Sequence, residues 1–137
     1  MASLYNAALL EHNAHPDYKY ALSDANHVMP GKNPSCGDEM TLYLHTEENV
    51  IEEASFTGHG CAVSQASADI MAEMINGKTI DEAKTLVKLF LKMIQGDTLS
   101  QQEFDLLDEA GELQSISRMP SRVKCAELAW RTLDEAI

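Results

Sequence analysis

The sequence predicts an α+β fold, a small antiparallel sheet followed by a layer of helices. Three observations predict it. Apolar residues between 40 and 56 tend to recur at every second position, the period of a half-buried strand. Those in 61–94 and 120–137 recur at three and four, the period of an amphipathic helix. No linker-like stretch and no internal repeat interrupts the 137 residues, which are enough for one domain, 1–137, with its own core.

The elements follow in order. Leu4, Tyr5, Ala8 and Leu9 are spaced for a short helix over 3–12. Residues 13–39 are rich in Asn, Asp, Pro, Gly and Ser and read as loop, with room for one short strand. Met40, Leu42 and Leu44 then alternate with Thr41, Tyr43 and His45 as a strand. The polar run Thr46-Glu47-Glu48-Asn49 suits a hairpin turn. Val50 to Phe56 pairs back, with Val50, Ala54 and Phe56 on one face, and Gly58-His59-Gly60 ends the strand. From Cys61 the spacing of Val63, Ala66, Ile70 and Met74 is helical, and Asn76-Gly77 stops it. Thr79 and Glu82 make a capping box. It opens a helix striped by Ile80, Ala83, Val87, Phe90, Leu91 and Ile94, which Gly96-Asp97 ends. Residues 101–116 are acidic and read as one or two short helices, with 103–112 as a solvated face. Pro120 suits the first turn of a last helix striped by Val123, Ala126, Trp130, Leu133 and Ile137.

Composition narrows the partners. The formal charge of −12 argues against nucleic acid and anionic membrane surfaces, which attract basic proteins. No stretch approaches the ~18 apolar residues of a membrane span. The first residues lack the basic and apolar regions of a secretory signal, so the expected location is the cytoplasm. Three cysteines far apart in sequence make a poor disulfide framework.

Those cysteines sit where chemistry could use them. Cys36 lies in Asn33-Pro34-Ser35-Cys36-Gly37-Asp38-Glu39-Met40, a loop that places a thiol two residues from a carboxylate. An anion there disfavours the thiolate, unless a cation lies between them. Cys61 opens a helix, where the N–H groups favour a thiolate. Cys125 follows Arg122 by three residues, a spacing that puts both on one helix face. If the three loops converge, three thiolates and Asp38 give the ligand types and the tetrahedral number that zinc takes. The residues alone leave plainer roles open: Cys125 as a small core residue, Asp38 as a turn residue, Arg122 as a solvated charge. His59, between two glycines, is either a fifth candidate ligand or simply exposed.

Three stretches carry a family resemblance: the loop just quoted, then Ala54-Ser55-Phe56-Thr57-Gly58-His59-Gly60-Cys61-Ala62-Val63-Ser64, then Arg118-Met119-Pro120-Ser121-Arg122-Val123-Lys124-Cys125. Together they resemble the U-type iron–sulfur assembly proteins, the IscU/SufU or NifU N-terminal family, over nearly the whole chain. The resemblance implies a three-stranded antiparallel sheet packed against helices. It implies one site held by Cys36, Asp38, Cys61 and Cys125. Lys124 stands where the scaffold branch has a histidine, the scaffold's Leu-Pro-Pro-Val-Lys motif is missing, and extra residues fall around 96–117, as in the SufU branch. That branch implies a zinc-dependent sulfurtransferase, with Cys36 as sulfur acceptor and Arg122 assisting its thiolate. The implied partners are a pyridoxal-phosphate cysteine desulfurase of the SufS type and, downstream, an iron–sulfur scaffold or apo-protein. The alternative is a scaffold that builds a [2Fe–2S] cluster on the same ligands.

Overall fold

The computed structural model describes residues 6–137. Helix α1 is Ala7–Ala14, and its N-cap Asn6 accepts the Leu9 N–H at 2.9 Å. The start of the expected helix, residues 3–5, lies outside the described residues. Three strands follow: β1 His27–Asn33, β2 Asp38–Glu47 and β3 Val50–His59. They form one antiparallel sheet in the order β1-β2-β3. The expected short strand within 13–39 is therefore β1, and β2 shows the alternating burial of Met40, Leu42 and Leu44.

The β2–β3 hairpin turns on Glu48 and Asn49, with φ of 50° and 66°. Two consecutive left-handed residues make the turn whose twist matches antiparallel strands. Just beyond it, His45 pairs with Glu53 and Thr46 with Ile51, so Glu52 has no opposite residue. This bulge shifts the alternation by one position. Ile51, not Val50, enters the core beside Ala54 and Phe56, which corrects the face expected from the sequence.

Each sheet edge is protected. The β3 edge is hydrogen-bonded by other chain: the Phe56 N–H donates to Tyr18 O at 3.0 Å and the Ile51 N–H to Lys78 O at 2.8 Å. The β1 edge carries Pro30, which has no N–H, and Lys32.

The helical layer comprises α2 Ala62–Ile75, α3 Ile80–Ile94, α4 Gln101–Leu106, a 3₁₀ helix Asp108–Arg118 and α5 Pro120–Ala136. The capping box forms as the sequence predicts, with Thr79 and Glu82 each accepting the other's backbone N–H. α2 is the central helix. It packs against β3, α1 and α5, and every residue from Val63 to Ala72 is buried. Its burial therefore extends around the helix, well beyond the predicted stripe. Ser67 fastens α2 to α5: its hydroxyl donates to Ala126 O at 2.7 Å and accepts the Trp130 indole N–H at 3.1 Å. Trp130 stacks on Phe90 of α3 with ring centroids 4.3 Å apart, a contact worth about 0.5–1.5 kcal/mol beyond its area.

The acidic stretch is less solvated than its charge suggests. Leu107, Ala110, Leu113 and Ile116 are fully buried, so the 3₁₀ helix closes one side of the core. No helix among the described residues is long and apolar enough to cross a membrane.

Candidate metal and thiol centre

Four chain segments meet at one pole of the molecule. The first is the loop between β1 and β2. Asn33 and Asp38 face each other as the last pair of that ladder, and Pro34 to Gly37 make the turn. The Cys36 and Gly37 N–H groups both donate to Asn33 O, at 3.2 and 3.0 Å. Gly37 has φ +72°, which a residue with a side chain adopts only at a cost. The turn leaves Cys36 exposed while Asp38, two residues on, is 1% exposed.

The second segment joins β3 to α2. Cys61 is the N-cap of α2, and its sulfur accepts the Ser64 N–H at 3.5 Å. The Cys61 N–H donates to Asp38 Oδ1 at 2.9 Å. Gly60 makes this close approach possible, because a Cβ there would stand 2.5 Å from Asp38 Oδ1 and also strike Ser64 Oγ. The third segment is the start of α5, and the fourth is the end of β1. Cys125, one turn into α5, is fully buried. Its thiol lies 3.1 Å from Cys36 Sγ.

Cys36, Asp38 and Cys125 each bring one ligand atom to within 4.8 Å of the others. The Cys61 sulfur lies outside that tight trio, yet near enough to act on the Cys125 thiol. All four predicted ligands thus face one pole, three of them in close convergence. Burial pushes the Cys125 thiol well above its ordinary pKa, and hydrogen bonding with Cys36, Asp38 and Cys61 pushes the same way. A cation among these groups would reverse that effect, because it stabilises thiolates and carboxylate together. The donor set fits zinc: three sulfurs and one carboxylate oxygen are ligands that zinc takes tetrahedrally.

Asn33 is a site residue that the sequence reading left unassigned. Its Nδ2 donates to Asp38 Oδ2 at 3.3 Å and reaches Cys125 Sγ at 3.8 Å. Such partners orient a ligating carboxylate from behind. The available signal was its place five residues before Asp38, at the turn's first position. The Ser121 carbonyl, which accepts from the Cys36 thiol at 3.8 Å, is a backbone group and left no signal. Arg122 is half-buried in the first turn of α5, one turn before Cys125. Lys124 is exposed. His59 points away: it is 71% exposed and pairs with Glu39 at 3.1 Å across the β2–β3 ladder.

Fold and site together define a small α+β domain with a cysteine- and aspartate-lined centre at one pole. The chain belongs to the NifU-like N-terminal domain family, whose profile matches residues 4–137. It is 40% identical over 134 residues to the iron–sulfur cluster assembly scaffold protein IscU of Thermotoga maritima, covering 98% of this chain and 92% of that one. It is 36% identical over 138 residues to the zinc-dependent sulfurtransferase SufU of Bacillus subtilis, covering 98% and 90%. The crystal structure of FiSufU from Fervidobacterium islandicum, described as an iron–sulfur cluster assembly scaffold protein for the SUF system, superposes with a TM-score of 0.91 at 35% identity, covering 97% and 96%.

Proposed function

We propose that this protein accepts sulfur on Cys36 from a cysteine desulfurase and passes it on for iron–sulfur cluster synthesis. The graded exposure of the three thiols carries this reading. Cys36 is exposed, Cys61 half-buried and Cys125 buried. A sulfur carrier needs one thiol that reaches another protein, supported by groups that stay inside. The SufU relative and the exposed Lys124 support the same reading.

In the transfer, the Cys36 thiolate attacks the outer sulfur of the desulfurase persulfide. A new S–S bond forms on Cys36, the old one breaks, and the desulfurase cysteine leaves as a thiolate. Cys36, Asp38, Cys61 and Cys125 would hold zinc, whose charge keeps the thiols deprotonated at neutral pH. Asp38 is held in place by the Cys61 N–H and Asn33, so its carboxylate is already aimed before any partner arrives. Arg122 assists the Cys36 thiolate. The pyridoxal phosphate belongs to the desulfurase.

A second reading is a scaffold that builds a [2Fe–2S] cluster on the same ligands. The name of the Thermotoga relative favours it, and thiolates hold iron as well as zinc.

The deciding experiment is alanine release from cysteine by a SufS-type desulfurase, with and without the zinc-loaded protein. A large acceleration, lost in a folded Cys36→Ala variant, is expected. No acceleration, with the metal-free protein instead taking up iron and sulfide into a transferable cluster, would replace this reading with the scaffold. Arg122→Ala should slow transfer roughly tenfold, about 1.4 kcal/mol of barrier, with zinc content unchanged. An unaltered rate would return Arg122 to a surface role.

A further inference from the structure

A second group of ligand atoms lies along α2, away from the thiols. His12 of α1 is held by Asp69 of α2: its Nδ1 is 2.6 Å from Asp69 Oδ2. Asp69 is 1% exposed, and its other oxygen accepts the Tyr18 N–H at 2.9 Å. The carboxylate is thus fixed on both sides, and it fixes the imidazole. The opposite ring nitrogen, Nε2, contacts Glu109 of the 3₁₀ helix and lies 3.8 Å from Glu73 of α2. Nε2 and one oxygen from each glutamate lie within 4.8 Å of one another.

From this geometry we infer that His12, Glu73 and Glu109 form a second divalent-metal site, with Asp69 as the residue that orients the histidine. The arrangement is that of a metal-binding imidazole, which typically gives its other ring nitrogen to a carboxylate. Ligand atoms on one ion with bonds of about 2.1 Å stand about 3.4 Å apart, so an ion would draw Glu73 slightly toward Nε2 and part Glu109 from it. Charge argues for the ion as well. Three carboxylates surround one imidazole, each paired with His12, and Lys78 lines the cleft beside Glu73 and Glu109. Glu73 and Glu109 also line an open cleft of about 320 Å³, which gives an ion a way in. The nitrogen and oxygen ligands suit zinc or a harder first-row ion, in contrast to the thiol centre.

Equilibrium dialysis against micromolar free zinc tests this in the full chain. Two zinc ions per chain are expected in the native protein. Glu73→Gln/Glu109→Gln should hold one, with the thiol centre still filled and circular dichroism unchanged. One equivalent in the native protein would overturn the inference, and so would a second equivalent that survives in the variant. Should the double variant fail to fold, Glu73→Gln alone is used, because Glu73 is 49% exposed. It should weaken the second equivalent at least tenfold while leaving the first intact, and an unchanged second equivalent would refute the site. Cobalt(II) in place of the second zinc should show weak visible bands without the intense near-ultraviolet absorption of thiolate ligation. This test is independent of whether Cys36 carries sulfur.

Discussion

The two ends of α2 carry different collections of ligand atoms. At its N-terminus, Cys61 joins Cys36, Cys125 and Asp38, all placed at or near element ends. In its second half, Asp69 and Glu73 meet His12 from the last turn of α1 and Glu109 from the first turn of the 3₁₀ helix; Asp69 lies 57 residues and Glu109 97 residues from His12 in sequence. The first collection is mainly sulfur, and its outermost thiol is exposed. The second is nitrogen and oxygen around a buried carboxylate. Turns and caps have strict local requirements, so a site built on them is written in short motifs. The second group draws on three separate helices with no short motif around any member, so its residues show only the helical period, which every packed helix obeys.

The largest expected effect is at Asp38. Asp38→Ala should lower zinc affinity at the thiol centre by at least about 100-fold, measured by competition with a chelator. It should also destabilise the metal-free protein by about 1–3 kcal/mol, because the part-buried Cys61 N–H and the buried Asn33 amide lose their acceptor. Unchanged affinity and stability together would reduce Asp38 to a turn residue and leave the two regions distinguished by sulfur alone.

Gly60→Ala comes next. The added methyl meets Asp38 and Ser64, so a loss of about 1–3 kcal/mol is expected from overpacking. Zinc should bind more weakly at the thiols, while the His12 group is untouched. A variant as stable as the native protein, with full zinc affinity, would mean that Asp38 can shift without harm.

The smallest effect should come from a position that supplies no ligand atom to either group. Thr79→Ala removes the N-cap of α3 and should cost about 1 kcal/mol in denaturant unfolding. Both sites should keep their metal affinity, and altered affinity would show that the helical layer couples them. The same capping box has a pH signature. Hydrogen bonds from Thr79 hold the Glu82 carboxyl below its usual range. A lowered folded-state pKa stabilises the protein above the unfolded value, about 4.3, and the contribution is lost as pH falls through the folded one. The acid limb of the stability curve should therefore flatten slightly in Glu82→Gln.

Much of this architecture was legible in the sequence. The hairpin, the Thr79 box and Pro120 were read correctly because each depends on a few adjacent residues. Cys36, Cys61 and Cys125 stood out in sequence through the short motifs around them, and the structure brings them to one pole. The misreadings had non-local causes. The bulge at Glu52 reversed the side-chain alternation, and only strand pairing reveals an unmatched residue. The solvated reading of 103–112 overlooked Leu107 and Ala110, whose burial depends on α3 and α5 lying opposite. His12 had no visible partner in sequence, because its partners come from three distant turns of helix.

The sheet's two guarded edges bear on how another protein can engage this one. Recognition by strand addition needs a row of free backbone donors and acceptors. On one side those groups are already paired with the segments around Tyr18 and Lys78, and on the other Pro30 interrupts the row. A partner is therefore confined to loops and helix faces. The turn that bears Cys36 projects beyond the end of the β1–β2 ladder, so docking there can form and dissolve without disturbing a single strand pair.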